Sequence, residues 1–299
     1  MTDVSVIIPV RNNFDSLRIC LDALENQTYG RDKFEIIVVD NGSDADCGSL
    51  KSDYPNAKWL YQERPGSYCS RNYGLRHASG TIVAFTDADC VPAPQWIEHA
   101  VEMLNTSGAT VLGGKIEFID PVDRKLNLYE IIEDEMFDMA NHQRVVETQN
   151  FAMTANLVTS RAVIDRVGMF DDTFLSSGDR EWGQRAVSRG EVLKYAVSVV
   201  IRHPRRSSFG DVCRKLRRVV GGKVQLAIKR RRSHGLRPIF RQLYIRSIFN
   251  IEIYKFVLRC RKVEGLKERS KLSAAMMALI LAATLEGILV ALGKKPHRG

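Results

Sequence analysis

Asp87 and Asp89 stand one residue apart in the stretch IVAFTDADC, directly after the apolar run Ile82–Phe85. A β-branched and aromatic run of that length reads as a buried strand. The two acids therefore fall at the carboxyl edge of a sheet, where parallel α/β sheets bind their ligands. Two hard oxygen donors suit Mg²⁺ or Mn²⁺, which takes one or two carboxylates and fills its shell with phosphate oxygens and water. Taken alone, Asp-x-Asp also suits a solvated turn that caps a helix.

The preceding chain contains elements able to position those acids. Val4–Ile8 is an apolar run closed by Pro9 and reads as a first strand. Phe14, Leu17, Leu21 and Leu24 recur at helical spacing, ending near Asn26. Glu35–Val39 is a second buried strand, followed by the turn Asp40-Asn41-Gly42-Ser43. Lys58–Tyr61 reads as a third strand, and Gly66–Gly80 holds a helix. Strands alternating with helices up to Asp89 predict a doubly wound, mostly parallel sheet. Its cleft would lie where Pro9–Asn13, Asp40–Ser43 and Asp87–Asp89 converge. No GxGxxG follows the first strand and no Walker A motif is present, so nucleotide phosphates would need a metal.

The 299 residues suffice for one large domain or two smaller ones. Charge is unevenly placed: from Arg202 onward there are 25 Lys/Arg against 5 Asp/Glu, and before it 19 against 30. An acidic body with a basic tail points to an anionic partner. Six cysteines are scattered without a CxxC pair, and the chain opens MTDVSVIIP straight into a strand. The expectation is a cytosolic protein with reduced thiols and no secretory leader.

Five ordered segments give the chain a resemblance: VSVIIPVRN (4–12), IIVVDNGSDAD (36–46), GSYCSRNYGLRHASG (66–80), FTDADC (85–90) and MFDDTFLSSGDREWGQR (169–185). Together they resemble bacterial, non-processive family 2 glycosyltransferases of the GT-A fold, over roughly residues 3–210. The resemblance implies a GT-A domain over 1–209; the charge and apolar pattern of 210–299 are read as a helical, basic, membrane-associating tail. Pro9, Val10 and Arg11 would line the donor nucleotide, and Asp40 would accept a hydrogen bond from its base, usually the N3–H of uracil. Asn41 stands where the family often has a second Asp. Arg71 would contact the base or lie near the phosphates, and Asn72 would hold the loop or the ribose. Asp89 would ligate Mn²⁺ or Mg²⁺, with Asp87 at the ribose or a metal-bound water.

Asp179 would be the general base, taking a proton from the acceptor hydroxyl as it attacks the anomeric carbon. Gly178 departs from the family pattern, which often has Glu there. Glu181, with Trp182 beside it, would orient the acceptor; an acid at a helix N-terminus is the other account of Glu181. Gly113-Gly114, after a strand predicted over Ala109–Leu112, would approach the sugar. Asn156 would line the donor pocket. His203 would join the metal, and Arg205 or Arg206 the diphosphate. Asp171 and Asp172 would form the turn before the Asp179 helix. The processive Gln-x-x-Arg-Trp segment is absent, which predicts single additions.

In the tail, Phe240, Leu243, Tyr244, Ser247, Ile248, Ile251 and Tyr254 share a helical face flanked by Arg241, Arg246 and Lys255. A basic amphipathic helix fits an anionic membrane surface, and no nucleic-acid-binding motif accompanies it. Leu272–Leu292 is long enough to span a bilayer, yet carries Glu286, so spanning and interfacial packing both stay open. The resulting expectation is an inverting, metal-dependent enzyme at the cytoplasmic face, moving a sugar from a UDP-sugar to a lipid-linked glycan. Two alternatives remain: a nucleotide- or glycan-binding membrane protein without turnover, and a nucleotidyltransferase. Donor sugar, acceptor and oligomeric state are not encoded in any motif.

Overall fold

The structure is a computed structural model describing residues 2–45, 47–137, 139, 141–230, 260, 262–263 and 265–297. In chain order its main elements are β1 (Val4–Val10), α1 (Phe14–Glu25), β2 (Phe34–Asp40), α2 (Gly48–Asp53), β3 (Lys58–Tyr61), α3 (Ser67–His77), β4 (Ile82–Phe85), β5 (Val91–Pro92) and α4 (Trp96–Thr106). There follow β6 (Val111–Ile119), α5 (Leu128–Met136), α6 (His142–Gln149), β7 (Leu157–Ser160), α7 (Arg161–Val167), α8 (Gly178–Ser188), β8 (Leu193–Pro204), α9 (Phe209–Arg230) and α10 (Leu266–Ala291). The predicted basic face from Phe240 to Lys255 lies outside the described residues.

The chain forms two compact units, the first being Met1–Ile119, Asp138–Thr173 and Gly178–Pro204. Its sheet has the order β3-β2-β1-β4-β7-β6-β8-β5. The strands from β3 through β4 are mutually parallel. β1 and β2 are continuous apolar runs because a parallel strand is covered on both faces; Val6, Ile7, Ile8, Ile36, Ile37, Val38 and Val39 are all fully buried. Beyond β4 the sheet is mixed: β7 runs antiparallel to β4 and β6, β8 parallel to β6, and β5 antiparallel to β8. Antiparallel neighbours need no crossover helix, so the strand–helix alternation in the sequence foretold the parallel half.

The amphipathic helix predicted from Phe14 is α1, whose Leu17, Leu21 and Leu24 are fully buried. The strand expected over Ala109–Leu112 is instead the longer β6. Gly113 and Gly114 lie inside it, and its register with β8 shifts between Gly114 and Lys115.

The second unit is Asp120–Phe137, Phe174–Ser177 and Arg205–Gly299. Helix α5 begins with a capping box: Asn127 Oδ1 accepts the N–H groups of Tyr129 and Glu130, while Glu130 accepts the N–H of Asn127. Ile131, Ile132, Val212, Leu216, Leu272, Met276 and Leu279 share one apolar core. Within that core Glu133, fully buried, accepts from Lys215 Nζ (2.6 Å) and Arg206 Nη1 (2.9 Å). Burial opposes its ionisation, but the Lys215 and Arg206 charges prevail and hold its carboxyl below the usual value.

Among the described residues one helix, α10, is long and apolar enough to cross a membrane. Its Leu272, Met276, Leu279, Ala283 and Glu286 are buried, whereas Met277, Leu281, Leu285, Ile288 and Leu292 are exposed. Glu286 bonds Arg217 Nη2 of α9 (2.9 Å) and the N–H of His297 (2.7 Å). The acid that interrupts the apolar stretch is therefore neutralised inside a helix pair.

Candidate active site

The parallel register levels the ends of β1 and β2. Val10 lies beside Asp40, and Asn41 N–H continues the ladder to the Val10 carbonyl (2.8 Å). Asp40 Oδ1 accepts both the N–H (3.0 Å) and the hydroxyl (2.6 Å) of Ser43. Ser43 Oγ in turn accepts the N–H of Asn12, which sits in the left-handed region (φ 52°). Arg11 Nε reaches the Gly42 carbonyl (3.4 Å), so the loops after β1 and β2 form one rim. Pro9 and Val10 supply its strand end, and the Asp40 carboxylate is part-exposed at its edge.

Asn41 explains its own departure from the family pattern. Its buried amide donates to the carbonyls of Gln62 (2.9 Å) and Arg64 (2.8 Å) and accepts the N–H of Gly66 (2.8 Å). A carboxylate cannot make the two donations. The second acid is replaced by a clamp on the loop that leads into α3.

Helix α3 then presents Arg71, 3% exposed, whose Nη2 forms an ion pair with Asp87 Oδ1. The side chain of Asp87 keeps 35% of its surface open. Arg71 thus fixes the first acid of Asp-Ala-Asp rather than standing apart from it. Asp89 faces a different partner: its Oδ2 lies 3.6 Å from His203 Nε2. His203 Nδ1 must donate to the Pro204 carbonyl (2.6 Å), since a carbonyl only accepts. In the neutral ring Nε2 is then the lone-pair nitrogen, aimed at a carboxylate. Two acceptors facing each other, with the far ring nitrogen committed to a backbone carbonyl, fit a divalent cation. Cys90 Sγ is also near, within the same 4.8 Å cluster. Burial first, then the charges of Asp87 and Asp89, push its thiol pKa well up. The Asp89 oxygen and the His203 ring nitrogen make an oxygen–nitrogen donor pair, which suits Mn²⁺ or Mg²⁺.

Asp179 occupies the first turn of α8. Its Oδ1 accepts the Tyr68 hydroxyl (3.1 Å) and the N–H of Arg180 (2.8 Å). Tyr68, one turn before Arg71 on α3, is buried, and the Arg71 guanidinium carbon lies 5.6 Å from its ring centroid. One helix therefore joins Asp87, through Arg71, to Asp179, through Tyr68. Sequence reasoning missed Tyr68. Its signal was the spacing inside GSYCSRN, with an aromatic three residues before the arginine.

Other predicted residues are committed to the fold. Asn72 Nδ2 donates to the Phe170 carbonyl (2.8 Å) and its Oδ1 accepts the Phe170 N–H (3.1 Å), so both ends of its amide hold backbone. Asn156, fully buried, donates to the Lys115 and Val199 carbonyls and accepts Trp96 Nε1–H, so both its amide hydrogens are used inside the core. Gly114 lies against that amide: a Cβ there would collide with Asn156 Nδ2 and the Val199 carbonyl. The close approach that makes position 114 a glycine is to protein. Trp182 is fully buried, its Nε1–H donating to the Gly168 carbonyl (2.8 Å). Glu181 is held by Arg185 through both oxygens (2.8 and 3.0 Å). In the second unit, Arg205 pairs with Asp134 and Asp120 and Arg206 with Glu133, so neither guanidinium is reserved for phosphate.

The match to known proteins agrees with this architecture. The family model "Glycosyl transferase family 2" covers residues 5–168. Glycosyltransferase AglE of the archaeon Haloferax volcanii is 36% identical over 245 residues, 79% of this chain and 77% of that protein. The pre-mycofactocin glycosyltransferase of Mycobacterium tuberculosis is 25% identical over 240 residues, 76% of this chain and 48% of that protein. Among solved structures, the mannosyltransferase PcManGT of Pyrobaculum calidifontis, in complex with GDP-Man and Mn²⁺, superposes with a TM-score of 0.61 at 21% identity, over 95% of this chain and 86% of that one. S. aureus TarS 1–349 in complex with UDP gives 0.55 at 16% identity, over 98% of this chain and 92% of that one. A parallel half-sheet carrying Asp-x-Asp at its carboxyl edge, a family match over more than half the chain and a relative covered over most of its length lead to one assignment: the chain belongs to glycosyl transferase family 2.

Proposed function

We propose that this chain is a metal-dependent, inverting glycosyltransferase. It moves one sugar at a time from a nucleotide-diphosphate donor, a UDP-sugar, to a hydroxyl of a lipid-linked glycan. The observation that carries the reading is the placement of Asp89 opposite His203 Nε2, while α3 ties Asp87 and Asp179 together. Asp89 and His203 would hold Mn²⁺ or Mg²⁺. The cation supplies charge neutralisation for the departing diphosphate.

The remaining chemistry falls to this chain's own groups. Asp40, with Pro9, Val10 and Arg11 around it, binds the base and ribose side of the donor. Arg71 holds Asp87 in one orientation, in which it would contact the ribose or the cation's hydration shell. Asp179 takes the acceptor proton as the acceptor oxygen bonds the anomeric carbon. The anomeric carbon–phosphate oxygen bond breaks on the opposite face, and its electron pair leaves with the diphosphate, so configuration inverts. Asn72, Asn156 and Trp182 maintain the scaffold around these groups.

Residues 1–209 carry transfer, and 210–299 bring the enzyme to the cytoplasmic face of a membrane. The exposed apolar face of α10 lies between Lys267 and Lys271 at one end and Lys294 and Lys295 at the other. That pattern suits a helix lying in an anionic interface. Full spanning would strip Glu286 from Arg217 and leave a charge in hydrocarbon, which favours the interfacial state. Salt-dependent co-sedimentation with anionic but not neutral vesicles checks it.

The decisive experiment incubates purified protein with Mn²⁺, a panel of UDP- and GDP-sugars, and polyprenyl-diphosphate-linked glycans in detergent. Nucleotide release coupled to glycan extension is expected, and is lost in Asp89→Ala and Asp179→Asn. Unchanged turnover in both variants overturns the assigned roles. Tight UDP binding by calorimetry without turnover on any donor would replace the enzyme with the binder that Gly178 left open.

A further inference from the structure

We infer that Tyr68 is a positioning residue for the acid–base step: its hydroxyl ties up Oδ1 of Asp179 and leaves Oδ2 as the oxygen offered to the acceptor. The inference rests on the reading of Asp179 as general base and adds a residue to it. Both donors to Asp179, the Tyr68 hydroxyl at 3.1 Å and the Arg180 N–H at 2.8 Å, converge on Oδ1. Among the described residues no hydrogen bond reaches Oδ2. A carboxylate pinned through one oxygen keeps its plane fixed, and the opposite oxygen retains the greater share of basicity.

The ring that delivers this hydroxyl is itself held on three sides. Tyr68 is 4% exposed, packs 5.6 Å from the Phe170 ring centroid, and lies beneath the Arg71 guanidinium. The third side is Gly178. A Cβ at that position would stand 2.7 Å from Tyr68 Cε2 and 2.9 Å from Cζ, closer than carbon atoms approach. The glycine that breaks the family's acidic pair is therefore the vacancy into which Tyr68 fits. Where a second carboxylate would stand, this chain substitutes a neutral donor that reaches over from α3. Because α3 also carries Arg71, this contact, 111 residues apart in sequence, sets Asp179 relative to Asp87.

The test uses the donor–acceptor pair that supports turnover in the wild-type protein. Tyr68→Phe keeps the ring and its contacts while removing the hydroxyl. The expected result is a kcat lowered about tenfold, the size of one hydrogen bond to a charged group, with donor KM, UDP affinity and melting temperature unchanged. Adding Tyr68→Phe to Asp179→Asn should cause no further loss in single-turnover rate, because the tyrosine acts through the acid. Gly178→Ala, which pushes the ring aside, should lower kcat in the same direction without raising the donor KM. Wild-type kcat in Tyr68→Phe, or an additive loss in the double variant, overturns the inference and leaves the glycosyltransferase reading standing. If Tyr68→Phe melts early, the Gly178→Ala kcat-against-KM split decides alone. Full turnover in Asp179→Asn would instead bring down the general-base reading itself.

Discussion

The acids of the two units are handled in opposite ways. In the first, Asp87, Asp89 and Asp179 each contact the protein through a limited part of the carboxylate. Asp87 has Arg71 on Oδ1, Asp89 faces a histidine nitrogen, and Asp179 receives both its donors on one oxygen. In the second, Glu133 and Glu286 are saturated. Glu133 is enclosed by Lys215 and Arg206, and Glu286 by Arg217 and a backbone N–H, with almost no exposed surface. The carboxylates proposed to meet a cation or a proton keep an oxygen for it. Those that only join helices give up both.

The contrast can be broken experimentally, most sharply at the active acids. With Asp179 as the proposed general base, Asp179→Asn should reduce turnover by roughly 10²–10⁴-fold, the range of positioned proton transfer, with little change in the melting temperature. Glu133→Ala should do the reverse. It removes the buried acid that Lys215 and Arg206 share, with an expected loss of about 3–5 kcal/mol in denaturant unfolding, while any protein that remains folded keeps the proposed UDP affinity by calorimetry. A stable Glu133→Ala variant would show that the second unit's acid is dispensable.

A smaller effect comes from His142, buried behind β6. Its Nδ1 donates to the Gly114 carbonyl (2.6 Å) and its Nε2 accepts the Met153 N–H (2.9 Å). Burial, only partly offset by the bond to Gly114, lowers its pKa to about 4. As pH falls below the unfolded value near 6.5, the unfolded chain takes up the proton first. Stability should then drain between pH 6.5 and 4 by at most about 3 kcal/mol and level off below. Chemical unfolding across that range should show the slope, and His142→Gln should flatten it.

The smallest expected change is Asn41→Asp, which restores the family's common residue. It forfeits two donations to carbonyls and places a charge against them, an expected cost of about 1–3 kcal/mol. UDP affinity should weaken through the loosened 62–66 loop. A neutral outcome would mean that the second acid is tolerated, and the clamp is not what excludes it.

The sequence made the parallel half of the sheet legible because each strand there is a short apolar run and each acid follows at once in the chain. Asp40 and Asp87–Asp89 needed only that adjacency, as did the helical spacing of Leu17, Leu21 and Leu24. Orientation was not legible. Asn72, Asn156 and Trp182 are polar or aromatic residues that sequence reasoning singled out. Their partners Phe170, Lys115 and Gly168 lie 14 to 98 residues away, and no local pattern says whether an amide faces a ligand or a carbonyl.

What the chain determined by itself is the edge of the sheet and the charges placed on it, because backbone periodicity and residue type act locally. The tertiary structure decided which oxygen of each acid is occupied. Tyr68 reaches Asp179, and His203 reaches Asp89, only once α3, α8 and β8 are packed around that edge. A hydrogen bond is a matter of ångströms, and sequence spacing does not supply them between elements a hundred residues apart.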